Sequence, residues 1–377
     1  MATSAIGPGF LTQTTRFTSE LLASFGFVIL ISLLLDIGAQ VNIWRIITVS
    51  NQRAQDIANN MLPGLGIALA ILIGFGGLVF NIGNIGGSGL GMNALTGINV
   101  KTGAVISCML SLCVFWYKQA GKAIDVFVKI LGVLMIIFTA YVAISSQPPL
   151  GEALYRTVWP EVIDELKIIT LVGGTVGGYI SFAGAHRLLD AGISGKESLP
   201  LVTRSSVNGI LITSVMRFVL FFAALGVVWH GAKLADNNPA GSVFQAAAGD
   251  VGYRFFGFVM WSAAITSVVG ASYTSISFFK TLHPFLHKNS RWLVSLFIIS
   301  STLIFVLIGN PVQLLVVAGA VNGFILPIAL AVILIAVNKT KIIADYHHPL
   351  WMQLSGWIVV LVMTYMGWVS LVKIWSD

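Results

Sequence analysis

The run FGFVILISLLLDIGAQVNIW, residues 25–44, is long enough to cross the hydrocarbon core of a bilayer as a helix and carries a single charge, Asp36. A crossing helix needs roughly 20 consecutive apolar residues. Similar runs recur at LGIALAILIGFGGLVF (65–80) and WIVVLVMTYMGWVSLVKIW (357–375). Barrel strands would be about half as long and would alternate in polarity. No such alternation is present, so the spans are helical. Composition agrees: 56% of the chain is hydrophobic and 9% charged, with mean hydropathy +0.91, against about a quarter charged in soluble domains. The expected fold is an all-α integral membrane protein.

About eleven spans are expected, centred near residues 10, 36, 72, 108, 133, 178, 218, 266, 300, 325 and 362. Placing the N-terminus inside puts twelve Lys and Arg in the inner loops, including Arg45, Arg53, Lys118, Lys122, Lys339 and Lys341, against six outside. Positive residues stay on the cytoplasmic side, so a multi-pass protein of the cell (inner) membrane with a cytoplasmic N-terminus is expected. The net charge of +7 is spread over these loops and forms no dense stripe; it reads as topology signal beside anionic lipid, and nucleic acid is not an expected partner. Cys108 and Cys113 are five residues apart within one apolar span and share no helix face, so neither a disulfide nor a metal pair is indicated. The opening residues lack a signal-peptide pattern. Six residues before Gly7 are too few for a half-helix reaching the surface, so either the first half-helix is very short or the native chain starts upstream.

Two spans are broken. In TSAIGPGFLTQTT, Gly7-Pro8-Gly9 interrupts the first; in LVGGTVGGYISFAGAHRLLD, Gly173, Gly174, Gly177 and Gly178 interrupt the sixth. Broken backbone frees polar groups that lipid cannot satisfy, so it must be buried in protein or line a cavity. Breaks at spans one and six point to two five-helix halves, each opening with a discontinuous helix, as in an inverted-repeat transporter. Repeats at 1–147 and 148–342, followed by an eleventh helix at 343–377, are the expected organisation. Glycines that merely allow close helix packing are the competing reading.

TSAIGPGFLTQTT resembles the first-helix motif I-D-P-G-N-F-A-T of the NRAMP divalent-metal transporters. GGTVGGYISFAGAH is similar to that family's sixth-helix G-A-T-V-M-P-H-N-L-Y-L-H. NIGNIGGSGLGMNALTGINVKTGA (81–104) is similar to its D-L-A-E-V-I-G-G-A-I-A-L-N-L-L-F-G-I. The resemblance covers essentially the whole chain and implies the leucine-transporter fold of five-plus-five inverted repeats with one further helix. It also implies metal transport, yet the ligand positions differ. The family's first-helix Asp and Asn read Gly7 and Phe10, and its sixth-helix Met corresponds to Gly177. The following Pro-His-Asn corresponds to Gly178, Tyr179 and Ile180, and the third-helix acids to Asn81 and Asn84.

A divalent ion stripped of water needs oxygen, nitrogen or sulfur ligands, usually with negative charge. Replacing a carboxylate and a thioether by glycine leaves half-helix N-termini, whose N–H groups and positive dipole end favour an anion. The sequence therefore predicts a small organic anion, such as 5-oxoproline, another monocarboxylate or bicarbonate, moved by alternating access. Mg²⁺ or Mn²⁺ transport is the alternative. Candidate substrate residues are Gly7, Pro8, Gly9, Phe10, Gln13, Thr14, Gly174, Thr175, Gly177, Gly178, Tyr179 and Asn322; no cofactor is expected.

Candidates for coupling to H⁺ or Na⁺ are Asp36, Asn81, Asn84, His186 and Ser272. Charges within spans are usually functional or paired. Arg16 with Glu20 is expected to pair within its helix, Arg187 with Asp190 likewise, and Asp36 either carries protons or pairs with Arg217. Serines of the eighth span either bind Na⁺ or bond back to their own helix. No H-E-x-x-H or other nucleophile-and-base constellation points to an enzyme, and a channel would need a symmetric filter.

Overall fold

The computed structural model describes residues 7–339 and 346–376, and among them every regular element is helical. Helix α1 (Pro8–Leu21) starts at the Gly-Pro-Gly break, with Pro8 in the first turn where its missing N–H leaves no bond unmade. A 3₁₀ turn (Leu22–Ser24), entered through Leu22 at φ 49, leads into α2 (Phe25–Ser50). Next come α3 (Ala54–Met61), α4 (Leu65–Thr96), α5 (Val100–Trp116), α6 (Lys118–Ser145) and α7 (Leu150–Val158). The sixth span is split into α8 (Glu165–Thr175) and α9 (Ile180–Asp190). It is followed by α10 (Leu199–Trp229), α11 (Pro239–Ser277), the short α12 (Pro284–Lys288), α13 (Ser290–Ile308), α14 (Pro311–Ala336) and α15 (Leu350–Ser376).

Eight of these stretches are long and apolar enough to cross a membrane, and nine if the last part of α6 and α7, bent by 108°, count as one. The expectation of eleven differs for a physical reason. The apolar stretch from Pro8 to Ser50 runs for 43 residues through both α1 and α2, about twice one crossing. Helix α5 has only 17 residues. Helix α11 is in fact two helices joined at Ala248 and Gly249, where Gly249 takes φ 61. The expected repeat boundary at 147 falls in the bend between α6 and α7. The boundary at 342, Lys341 and the segment before Gly7 lie outside the described residues, as do the side chains of Lys118 and Lys122.

Helices in lipid associate through close packing, because burying apolar surface gains little there. Small residues supply that closeness. Helix α4 crosses α11 where Gly91 meets Gly257 backbone to backbone, and a side chain at Gly87 would overlap the Pro8 ring. Helix α8 meets α14 in the same way: a carbon at Gly173 would run into the backbone of Gly319 and Gly323. The Trp44 indole N–H of α2 donates to the Ser181 carbonyl at 2.9 Å and fixes α9. Leucines and isoleucines such as Leu34, Ile137, Leu307 and Leu361 are exposed on the outer faces, the arrangement expected of a surface solvated by lipid.

Candidate substrate cavity

The two helix breaks face one cavity of about 410 Å³. Gly7, Gly9 and Phe10 border it from the start of α1, and Gly174, Thr175, Val176 and Tyr179 from the break between α8 and α9. It continues along α9 past Ala183 and Gly184 to Arg187, at the end of the bundle where α2 finishes and α10 begins. Gln40 of α2, Phe80 of α4, Thr213 of α10 and Thr266, Ser267 and Thr274 of α11 complete the polar and aromatic wall. Among the described residues Arg187 is the only ionisable group in that wall apart from the Tyr179 phenol, and no carboxylate lines it.

Local bonding explains each position. Pro8 has no N–H, and the first-turn N–H groups of Gly9 and Phe10 have no acceptor within their own helix. These two face the cavity. The other half-helix start differs. At the beginning of α9 the N–H groups of Gly178 and Tyr179 donate to the main-chain and side-chain oxygens of Asn322 at 2.9 and 3.0 Å. Asn322 also donates to the carbonyls of Gly76 and Ala318 at 3.0 and 2.9 Å. The expectation of free N–H groups therefore fails at α9. Tyr179 spans the break to α11 by donating its hydroxyl to the Ala271 carbonyl at 2.9 Å, beside Thr274.

Of the residues expected to hold substrate, Gly7, Gly9, Phe10, Gly174, Thr175 and Tyr179 border the cavity, while Pro8, Gln13, Thr14, Gly177, Gly178 and Asn322 do not. Gln13 is wedged between Gly174 and Gly319 and donates to the Leu315 carbonyl at 2.9 Å. Thr14 bonds back to the Phe10 carbonyl at 2.7 Å, as Thr15 does to Leu11 at 2.9 Å. Threonines in helices commonly make this bond, and it removes the hydroxyls from the site.

None of the expected coupling residues lines the cavity. Asn81 donates to Ser301 at 3.0 Å and Ser272 to the Val268 carbonyl at 2.7 Å; Asn84 is buried with its amide nitrogen unpartnered. His186 is 0% exposed; its Nε2 accepts from the Ala54 N–H and its Nδ1 meets Ser277, both at 3.2 Å, so it ties α9 to α3 and α11. Arg16 pairs with Glu20 at 2.8 Å as expected. Arg187 does not pair with Asp190: Asp190 is taken by Arg53 at 2.5 Å, which leaves the Arg187 guanidinium at the cavity mouth. Asp36 and Arg217 are both buried and do not reach ion-pair contact. Both cysteines are free. The sequence reading missed Arg187, Gln40, Thr213 and Ser267 as cavity residues. The available signal was the helical spacing from Tyr179, already marked for the site, to Ala183 and Arg187, which puts all three on one face of α9.

Among the described residues no group of three or more His, Cys, Asp or Glu is placed to hold a metal ion. A family model described as Natural resistance-associated macrophage protein-like (Nramp) matches residues 1–373. The chain is 61% identical over 367 residues to the uncharacterized membrane protein YcsG of Bacillus subtilis (strain 168), covering 97% of this chain and 91% of that protein. Among solved structures it resembles a mutant of the Eremococcus coleocola manganese transporter with TM-score 0.69 at 14% identity, covering 98% of this chain and 84% of that one. It also resembles MhsT in complex with L-phenylalanine, with TM-score 0.64 at 18% identity and coverage of 97% and 96%. Both likenesses establish the fold.

Proposed function

The chain belongs to the Nramp family, and on that premise we propose that it is a secondary carrier of a small organic anion, with monocarboxylates such as 5-oxoproline as the substrate class. The observation that carries this reading is the charge of the cavity: among the described residues its wall holds the Arg187 guanidinium and no carboxylate. A guanidinium recognises a carboxylate through two parallel N–H donors. The N-terminal end of α1, whose dipole is positive, borders the same space. Between them, Gln40, Thr213, Ser267 and Tyr179 offer neutral polar groups to the rest of a solute. The volume of about 410 Å³ suits a small molecule.

With the N-terminus cytoplasmic, as the loop charges favour, the Arg187 end of the cavity lies toward the inner face. The second reading, transport of Mg²⁺ or Mn²⁺, is favoured by the likeness to a manganese transporter. Here the ion would have to shed water onto amides, hydroxyls and carbonyls beside an arginine, which disfavours it electrostatically.

A thermal-shift panel on purified protein separates the two. A ligand of the folded state at about 100 times its Kd adds about 2.7 kcal/mol of apparent stability. Monocarboxylates should raise the melting temperature and divalent ions should not. Arg187→Gln should weaken the carboxylate shift by about tenfold or more in affinity, since a charge-assisted pair is lost. A shift with Mn²⁺ alone would overturn the reading.

A further inference from the structure

One step deeper than the cavity lie two charged groups that nothing in the substrate site uses. Asp36 of α2 is 1% exposed and Arg217 of α10 is 2% exposed. Neither oxygen of Asp36 has a hydrogen-bond donor. Arg217 spends one nitrogen on Thr175 Oγ1, at 2.8 Å, and lies over the Phe10 ring at 4.5 Å; its Nε and its other terminal nitrogen are unpartnered. Each carries the charge opposite to the other, and no ion pair among the described residues takes either one. Among the other charges on the helices packed against α2, Glu20 pairs with Lys167, Glu152 with Arg156, Glu165 with Lys373 and Asp190 with Arg53; Arg45 bonds Thr203 and Tyr346, Arg187 borders the cavity and Arg204 is exposed. His186 is held by Ala54 and Ser277.

An ionised carboxylate at this depth needs a partner, and leaving one unpaired is far more expensive than pairing it. A protonated carboxyl has no such need. The observed arrangement, with the carboxyl bare and the guanidinium turned to a hydroxyl and a ring, is the one that suits a protonated Asp36. The partners Arg217 has chosen are significant by position. Thr175 is the last residue of α8 and Phe10 sits in the first turn of α1, so this one side chain touches both helix breaks.

We propose that Asp36 is a proton-binding site and that Arg217 is the arm it controls. With Asp36 protonated, Arg217 bridges the breaks of spans one and six and closes the cavity on the side away from Arg187. When the proton leaves, the carboxylate draws Arg217 to itself, the bridge to Thr175 and Phe10 opens, and the two breaks are free to rearrange. One proton thereby biases a two-state element at the substrate site, which couples carrier turnover to a proton gradient. The inference rests on the transporter fold and not on the sign of the cargo.

The test uses no cargo, so its failure leaves the substrate reading untouched. Full-length protein in liposomes is followed by hydrogen–deuterium exchange across a pH series, reading the peptides that cover α1 and α8. An infrared titration of the same samples follows the carbonyl band of a buried carboxylic acid. In wild type the protection factors of both peptides, taken relative to the base-catalysed intrinsic rate at each pH, should be about tenfold or more lower at alkaline pH than at acid pH, with loss of the carboxylic band over the same interval. Asp36→Asn, which keeps the shape and cannot ionise, should hold the acid-pH protection throughout and lack the band. Thr175→Val, which removes the acceptor, should lose protection even at acid pH and retain the band. Protection that is independent of pH in wild type, or an Asp36→Asn profile that follows wild type, would overturn the proposal. Should Asp36→Asn not fold, the wild-type titration and Thr175→Val still decide it.

Discussion

Replacing Asn322 by alanine tests whether span ten holds the sixth span open. The Asn322 side chain is 0% exposed and makes three bonds: it accepts from the Tyr179 N–H and donates to the Gly76 and Ala318 carbonyls. The two carbonyls sit inside helices and keep their own ladder partners, so losing those bonds forfeits about 0.5–1.5 kcal/mol each. The Tyr179 N–H precedes α9 and has no other acceptor, so stranding it costs about 1–3 kcal/mol. The sum is about 2–6 kcal/mol. For a chain of this size that lowers the melting temperature by roughly 2.5–8 °C. The assay is fluorescence-detected melting of purified Asn322→Ala beside wild type. If alanine melted within about a degree of wild type, the idea that Asn322 supports the break would be wrong.

Two other expectations follow from particular contacts. Gly173→Ala should sharply reduce the yield of folded protein, measured by size-exclusion fluorescence, because the new carbon meets the backbone of Gly319 and Gly323 and not a side chain that can turn away. Gly151→Ala, with open space around it, is the tolerated control. Burial and the nearby Arg45 depress His348 to about 4 from an ordinary 6.5, while its ring nitrogens bond Asn42 at 2.7 Å and Tyr346 at 3.0 Å. Between those two pH values the unfolded chain takes a proton that the folded chain refuses. Stability is therefore complete above about 6.5 and falls as pH drops toward 4, by up to about 3 kcal/mol. His348→Gln should flatten that loss in melts taken across the pH series.

What was legible in the sequence was what lipid enforces. The break of the sixth span around Gly173 to Gly178 is readable because free backbone groups have so few homes in a membrane. Which polar group serves which end was not readable. Asn322 was marked for the substrate and is spent on the N–H groups of Gly178 and Tyr179, because an amide can supply an acceptor where a half-helix starts. Arg187 and Asp190, three apart, read as a local pair, but Arg53, 137 residues away from Asp190, is the partner. Spacing along one helix cannot show which distant loop arrives beside it. Thr14 and Thr15 looked like site hydroxyls and bond to their own helix, a choice made by rotamer and not by composition.

The sign of the cargo is the central claim, and dual-label uptake into one preparation of proteoliposomes tests it most directly. Purified protein is presented with radiolabelled 5-oxoproline and with radiolabelled Mn²⁺ in parallel, together with competing unlabelled monocarboxylates. The account predicts saturable carboxylate uptake that unlabelled carboxylates inhibit, with counterflow against preloaded substrate and Mn²⁺ entry no faster than in empty liposomes. Saturable Mn²⁺ uptake with no carboxylate movement would contradict it.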